Sequence, residues 1–93
     1  MIAETEFLQH LATAIVKAGG AAESDPEGAL DLARQALAQL KEMGAYAYPN
    51  LFEIGELRFV YQWDDTPPQV VVMVWDDRMW RDIARVEMPP GIV

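Results

Sequence analysis

The chain has 93 residues, of which 52% are hydrophobic, and a formal net charge of −8. This length suits one domain with one hydrophobic core, and the acidic balance provides few cations for nucleic-acid phosphates or for an anionic membrane surface. Cysteine is absent, which excludes disulfides, thiolate metal sites and a thiol nucleophile. We therefore expect one domain over residues 1–93 that binds neither nucleic acid nor membrane directly.

The first predicted element is an amphipathic helix over residues 3–18. Its apolar side chains recur at spacings of three and four residues, whereas polar side chains occupy the opposite side. Gly19 and Gly20 follow at once, and glycine adopts the left-handed conformation that ends many helices. The apolar side of this helix consists of Phe7, Leu8, Leu11, Ala12, Ile15 and Ala18.

A second helix is predicted over residues 26–43. Asp25 can cap its N-terminus and Pro26 suits the first helical position, while Ser24 with Glu27 offers an alternative capping box. Gly44 ends the pattern. Because the connector between the two helices is short, we expect them to pack as an antiparallel pair.

The next segment predicts a β-hairpin. Residues 46–52 read as a crossover without regular structure, and apolar residues then alternate over 56–63. A loop with two prolines leads to a return strand over 69–75, which is apolar on both faces. A strand of this kind is covered on both faces or lies centrally in a sheet.

Residues 77–88 fit two structures. As a helix, the segment separates apolar from charged side chains, and Asp76 would cap it. As a strand, it would place Asp82 among the apolar residues of one face. We favour the helix. The predicted fold class is α+β, with an N-terminal antiparallel helix pair packed on a β-hairpin and a C-terminal third helix, or a third antiparallel strand in its place.

The tripeptide Trp-Asp-Asp occurs twice, at residues 63–65 and 75–77. The two copies leave opposite ends of the predicted hairpin, roughly 23 Å apart for seven extended residues. The four carboxylates therefore cannot form one metal site, and we interpret them as turn and capping residues. The tryptophans are candidate partner-facing anchors, because Trp is enriched at binding hot spots. The predicted partner-binding residues are Trp63, Asp64, Asp65, Trp75, Asp76 and Asp77.

Catalysis finds little support in the sequence, and we expect no enzyme, no metal and no cofactor. His10 is the only histidine, and Ser24 is the only serine, at a helix entrance where capping explains it. Neither has the neighbours that a nucleophile or general base needs. An enzyme would require a pocket assembled from distant residues such as His10, Glu53 and Glu56.

These observations favour a non-enzymatic acidic protein-binding module, an inhibitor of a basic or nucleic-acid-binding protein. The alternative is a structural subunit that acts by self-association. A lone hairpin is marginally stable in water, so a homodimer formed through the sheet edge is also predicted. The first residues lack the features of a signal peptide, and no apolar run has the length of a membrane span, so we expect a cytoplasmic location.

Overall fold

The computed structural model describes residues 3–19, 25–44 and 46–90, which form two helices and a four-stranded sheet. The α+β class is therefore confirmed. The connector with Ser24 and the tail 91–93 lie outside the described residues. In chain order the elements are α1 (Glu4–Lys17), α2 (Pro26–Met43), β1 (Leu51–Ile54), β2 (Leu57–Gln62), β3 (Gln69–Trp75) and β4 (Trp80–Glu87).

The start of α2 is set by local chemistry. Asp25 is extended, and its carboxylate accepts a hydrogen bond of 3.1 Å from the backbone N–H of Glu27, while Pro26 occupies the first turn. At the other end of α2, Lys41 Nζ lies 3.4 Å from the carboxylate of Glu4 at the start of α1. Because the end of one helix meets the start of the other, the two helices run antiparallel.

The four strands form an antiparallel sheet in chain order, β1-β2-β3-β4, so β3 pairs on both sides and is central. One face of the sheet, the inner face, packs against the helices, with α1 against β4 and α2 against β1. We call the opposite face the outer face. Alternate strand residues face the helices and are buried with the apolar sides of α1 and α2. The inner-face residues of this core are Leu57, Phe59, Tyr61, Val70, Val72 and Val86.

The expected third helix over 77–88 is wrong, because Trp80–Glu87 is strand β4, paired with β3. The register shifts at Val72 and Met73 of β3, which leaves Ile83 as an extra residue in β4. A bulge of this kind reverses the alternation on its two sides. Asp82 therefore lies on the outer face and Ala84 on the inner face, so Asp82 does not interrupt an apolar face.

A second correction concerns the crossover predicted over 46–52, since Leu51–Ile54 forms strand β1. Ile54 pairs with Leu57, so the connection to β2 has only two residues, Gly55 and Glu56. Gly55 has a φ of 60° and Glu56 does not have a positive φ. A positive φ at the first turn position alone is typical of the type II′ turn, which favours glycine there. The sheet therefore contains three consecutive hairpins in place of one.

Candidate functional site

No second layer covers the outer face within the described part of the chain; two arginine side chains cross it instead. Arg85 on β4 donates a hydrogen bond of 3.4 Å to Gln62 on β2, and so crosses β3 beside Val71. Arg58 on β2 crosses β3 in the other direction, with its guanidinium carbon 4.1 Å from the ring centre of Trp80 on β4. Val71 is only 2% exposed although it faces away from the helices. The middle of the central strand is therefore covered on both faces.

The tight turns β1–β2 and β3–β4 lie at the same end of the sheet, which we call the turn end. Here Trp75 is 50% exposed, and its ring lies 5.6 Å from that of Trp80 at an interplanar angle of 63°. The guanidinium of Arg58 stacks on Trp80 and lies 3.3 Å from the carboxylate of Glu53. This chain of contacts therefore takes one side chain from each of the four strands.

Asp76 holds the β3–β4 turn together. One carboxylate oxygen accepts the backbone N–H groups of Arg78 and Met79, at 3.2 and 3.1 Å, and the other accepts the side chain of Arg81 at 2.9 Å. The bond with Arg81, followed by those with Met79 and Arg78, holds the pKa of Asp76 below its ordinary value of 3.8. Asp77 adopts a positive φ of 77°. The predicted turn role therefore fits Asp76, although the element it begins is a strand.

A cleft of about 330 Å³ opens between the two turns at the turn end. Glu56 of the β1–β2 turn and Asp77 of the β3–β4 turn line it together with Trp75 and Trp80. Neither carboxylate has an ion-pair partner among the residues that the structure describes. We call this the turn-end cleft, and its lining residues are Glu56, Val74, Trp75, Asp77 and Trp80.

The other copy of the tripeptide lies at the opposite end of the sheet, which we call the loop end. Trp63 is half-buried against the hydrophobic core, and its ring lies edge-on to Tyr46 at 4.9 Å. Asp64 is exposed, whereas Asp65 is half-buried and its backbone N–H donates to the carbonyl of Gln62. The structure therefore divides the six predicted residues into two groups of three and does not bring them together.

The three tyrosines of the chain also differ from one another in their surroundings. Tyr61 lies in the core, where burial and then the charge of Tyr46 raise its pKa above the ordinary value of 10.0. Tyr46 is exposed, and Tyr48 is 96% exposed at the loop end. Tyr61 is therefore a packing residue, and the two exposed tyrosines belong to the loop end.

The residues that an enzyme would need are not brought together. His10 lies in a groove of about 310 Å³ between α1 and β4, Glu53 pairs with Arg58 on the outer face, and Glu56 lies at the turn end. Among the described residues, no three His, Asp or Glu side chains are placed to hold a metal ion. A pocket of His10, Glu53 and Glu56 is therefore not formed.

Three residues of the turn-end cleft, Glu56, Val74 and Trp80, are not among the predicted partner-binding residues. Trp80 is one of the three candidate anchors, but the interpretation of residues 77–88 as a helix does not place it in a strand opposite Trp75. Glu56 could have been found from Gly55, because a glycine followed by one residue between two apolar segments is the pattern of a two-residue hairpin turn. Such a turn places Glu56 beside the strand that ends at Trp75.

None of the helices in the described ranges is long and apolar enough to cross a membrane. The chain was compared with protein-family models, with curated proteins and with solved structures. No family model, curated protein or solved structure matches it. Its function is therefore inferred from its own residues.

Proposed function

We propose that this chain is a non-enzymatic protein-binding module that binds a basic protein through the turn end of its sheet. The observation that carries the proposal is the half-exposed ring of Trp75, which contacts Trp80 beside two carboxylates without an ion-pair partner among the described residues. Large aromatic side chains anchor many protein interfaces, and surrounding charge selects the partner. The proposed setting is the cytoplasm.

Charge supports a basic partner. The chain has fifteen acidic side chains against seven Lys and Arg, and the attraction of such a surface for a cationic protein increases the rate of association. A nucleic-acid-binding protein presents a cationic surface. An acidic module bound to that surface would exclude the phosphates of the nucleic acid. Inhibition of such a protein is the activity that we propose for the bound state.

The proposal is tested by affinity capture with three immobilised proteins: wild type, Trp75→Ala and Tyr48→Ala. The Tyr48 variant is the matched control, since it removes an exposed aromatic side chain at the loop end. We expect a basic protein that wild type and Tyr48→Ala retain at low salt and release at high salt, because salt screens exposed charges. Trp75→Ala should retain it at least about tenfold less well, the loss typical of an anchor residue.

The captured protein is then purified and titrated against the same three proteins. Equal affinity for wild type and Trp75→Ala would contradict the proposal. An acidic partner, or one whose retention is independent of salt, would do so as well.

Self-association as a structural subunit is the alternative proposal, and the free edges of the sheet are the observation that bears on it. Among the residues that the structure describes, β4 pairs with β3 alone, but it contains a bulge and exposed charged residues, features that disfavour edge-to-edge pairing. β1 has only four residues. Light scattering that gives a dimer mass at high salt over a wide concentration range would favour this alternative over binding of a basic partner.

A further inference from the structure

The turn-end cleft has the size of a site for one side chain. Its volume of about 330 Å³ is at the lower limit for small-molecule pockets, which range from about 300 to 1,000 Å³. Its lining includes one residue from each of the two tight turns and two indole rings whose centres are 5.6 Å apart, at 63° to one another. The cleft is therefore suited to a single extended group from a partner.

The chemistry of the lining selects a cation. The faces of indole rings carry negative charge density and attract cations, most strongly among the aromatic side chains. Glu56 and Asp77 add two carboxylates that no described cation neutralises. Asp76, the neighbour of Asp77, is already bound to Arg81. A bound cation would therefore neutralise the negative charge of Glu56 and Asp77, which the contacts within the two turns do not neutralise.

The chain already contains one complete example of this arrangement. Arg58 stacks on Trp80 at 4.1 Å and pairs with Glu53 at 3.3 Å, so one guanidinium contacts an indole and a carboxylate together. The turn-end cleft also combines indole rings with carboxylates, but no guanidinium is among its lining residues. A planar guanidinium can stack on a ring and at the same time donate two hydrogen bonds to a carboxylate, which an ammonium or a methylated ammonium cannot do.

From this correspondence we infer that the turn-end cleft binds the side chain of an arginine in the basic partner. The guanidinium stacks against Trp75 and donates hydrogen bonds to Glu56 and Asp77. This inference rests on the proposed function and names the group by which the partner is recognised. It assigns a role to Trp75, Glu56 and Asp77 that the turn geometry alone does not require.

The test uses a short glycine–serine peptide with one central arginine and the full chain labelled with ¹⁵N. The chain has three tryptophans, and therefore three indole N–H signals. We expect the signals of Trp75 and Trp80 to shift saturably, with a dissociation constant of about 1 mM, as few contacts allow. The signal of Trp63, at the loop end, should not move and is an internal control.

Two comparisons isolate the charge. Replacement of the arginine by citrulline, a neutral group of the same shape, should weaken binding about tenfold, and a lysine or trimethyllysine peptide should also bind more weakly. The double variant Glu56→Gln/Asp77→Asn should bind the arginine peptide about tenfold more weakly as well. The control is Glu6→Gln/Glu42→Gln, which changes the net charge equally at two exposed positions on the helices, outside the cleft. Asparagine is tolerated at the positive φ of position 77.

Absence of a saturable shift at Trp75 and Trp80 would overturn the inference, as would equal binding of the arginine and citrulline peptides. Tighter binding of trimethyllysine would also overturn it. This failure is distinguishable from failure of the proposed function. If Trp75→Ala loses a captured basic protein while the arginine peptide does not bind, the inference is wrong and the proposed function stands.

Discussion

The two Trp-Asp-Asp segments end neighbouring antiparallel strands, yet their tryptophans have opposite surroundings. Trp63 continues the alternation of Leu57, Phe59 and Tyr61 and lies against the core, whereas Trp75 continues the outer-face positions of β3 and is half-exposed. Successive residues of a strand face opposite sides of a sheet. The position of each ring relative to the helices, and not its tripeptide, therefore decides whether it packs or remains available to a partner.

The aspartates differ for a second reason, the length of the connection that they begin. Asp76 opens the four-residue β3–β4 turn and binds two backbone N–H groups and Arg81. Asp64 lies at the start of a longer loop with two prolines. Its side chain is exposed and is not hydrogen-bonded to another described residue. Short turns use their first carboxylate for structure. Of the two aspartates at the turn end, Asp77 is therefore the one without an ion-pair partner among the described residues.

The largest difference between the two ends should appear when each tryptophan is removed. We expect Trp63→Ala to lower the free energy of unfolding by about 2 kcal/mol, less than for a fully buried tryptophan because the ring is only half-buried. Trp75→Ala should lower it by less than about 1 kcal/mol, since its ring is half-exposed. Urea denaturation followed by far-ultraviolet circular dichroism measures both.

Trp75→Phe and Trp63→Phe serve as controls for the loss of an aromatic group. Equal destabilisation by the two alanine variants would contradict the assignment of Trp63 to the core side and Trp75 to the surface. It would also remove the basis for using Trp75→Ala as a binding variant with an intact fold.

A smaller effect is expected from the backbone, because among the described residues each end of the sheet has one non-glycine residue with a positive φ. The values are 62° for Tyr46 and 77° for Asp77. Alanine retains the steric cost of this conformation and glycine does not, so at each position the glycine variant should be more stable than the alanine variant by about 1 kcal/mol. Thermal unfolding of the four variants measures the differences. A more stable alanine variant at either position would show that the backbone there is not left-handed in solution.

Sequence reasoning succeeded where the signals are local. Asp25, Pro26 and Gly44 mark the limits of α2 by chemistry that acts within one helical turn. It failed at β4, because the bulge at Ile83 reverses the alternation on which a strand prediction depends. It also missed β1, whose four residues are too few to establish a period. The exposure of Trp75 could not be predicted at all, because it depends on which face of the sheet the helices cover.

The smallest effect concerns the ion pair at the turn end, because Asp76 and Arg81 are accessible to solvent and exposed pairs contribute little. The pKa of Asp76 is lowered in the folded chain, so its charge stabilises the fold above the ordinary value of 3.8, and this stabilisation is lost as the pH falls through the folded-state pKa. Asp76→Asn keeps an oxygen that accepts the N–H groups of Arg78 and Met79 but removes the charge. We therefore expect the variant to be less stable than wild type near pH 6, and the difference to disappear towards about pH 2. Asp64→Asn is the matched control at the loop end, because the exposed Asp64 has no ion-pair partner among the described residues. A difference for Asp76→Asn that is independent of pH would mean that turn geometry, and not the charge paired with Arg81, accounts for the contribution of Asp76.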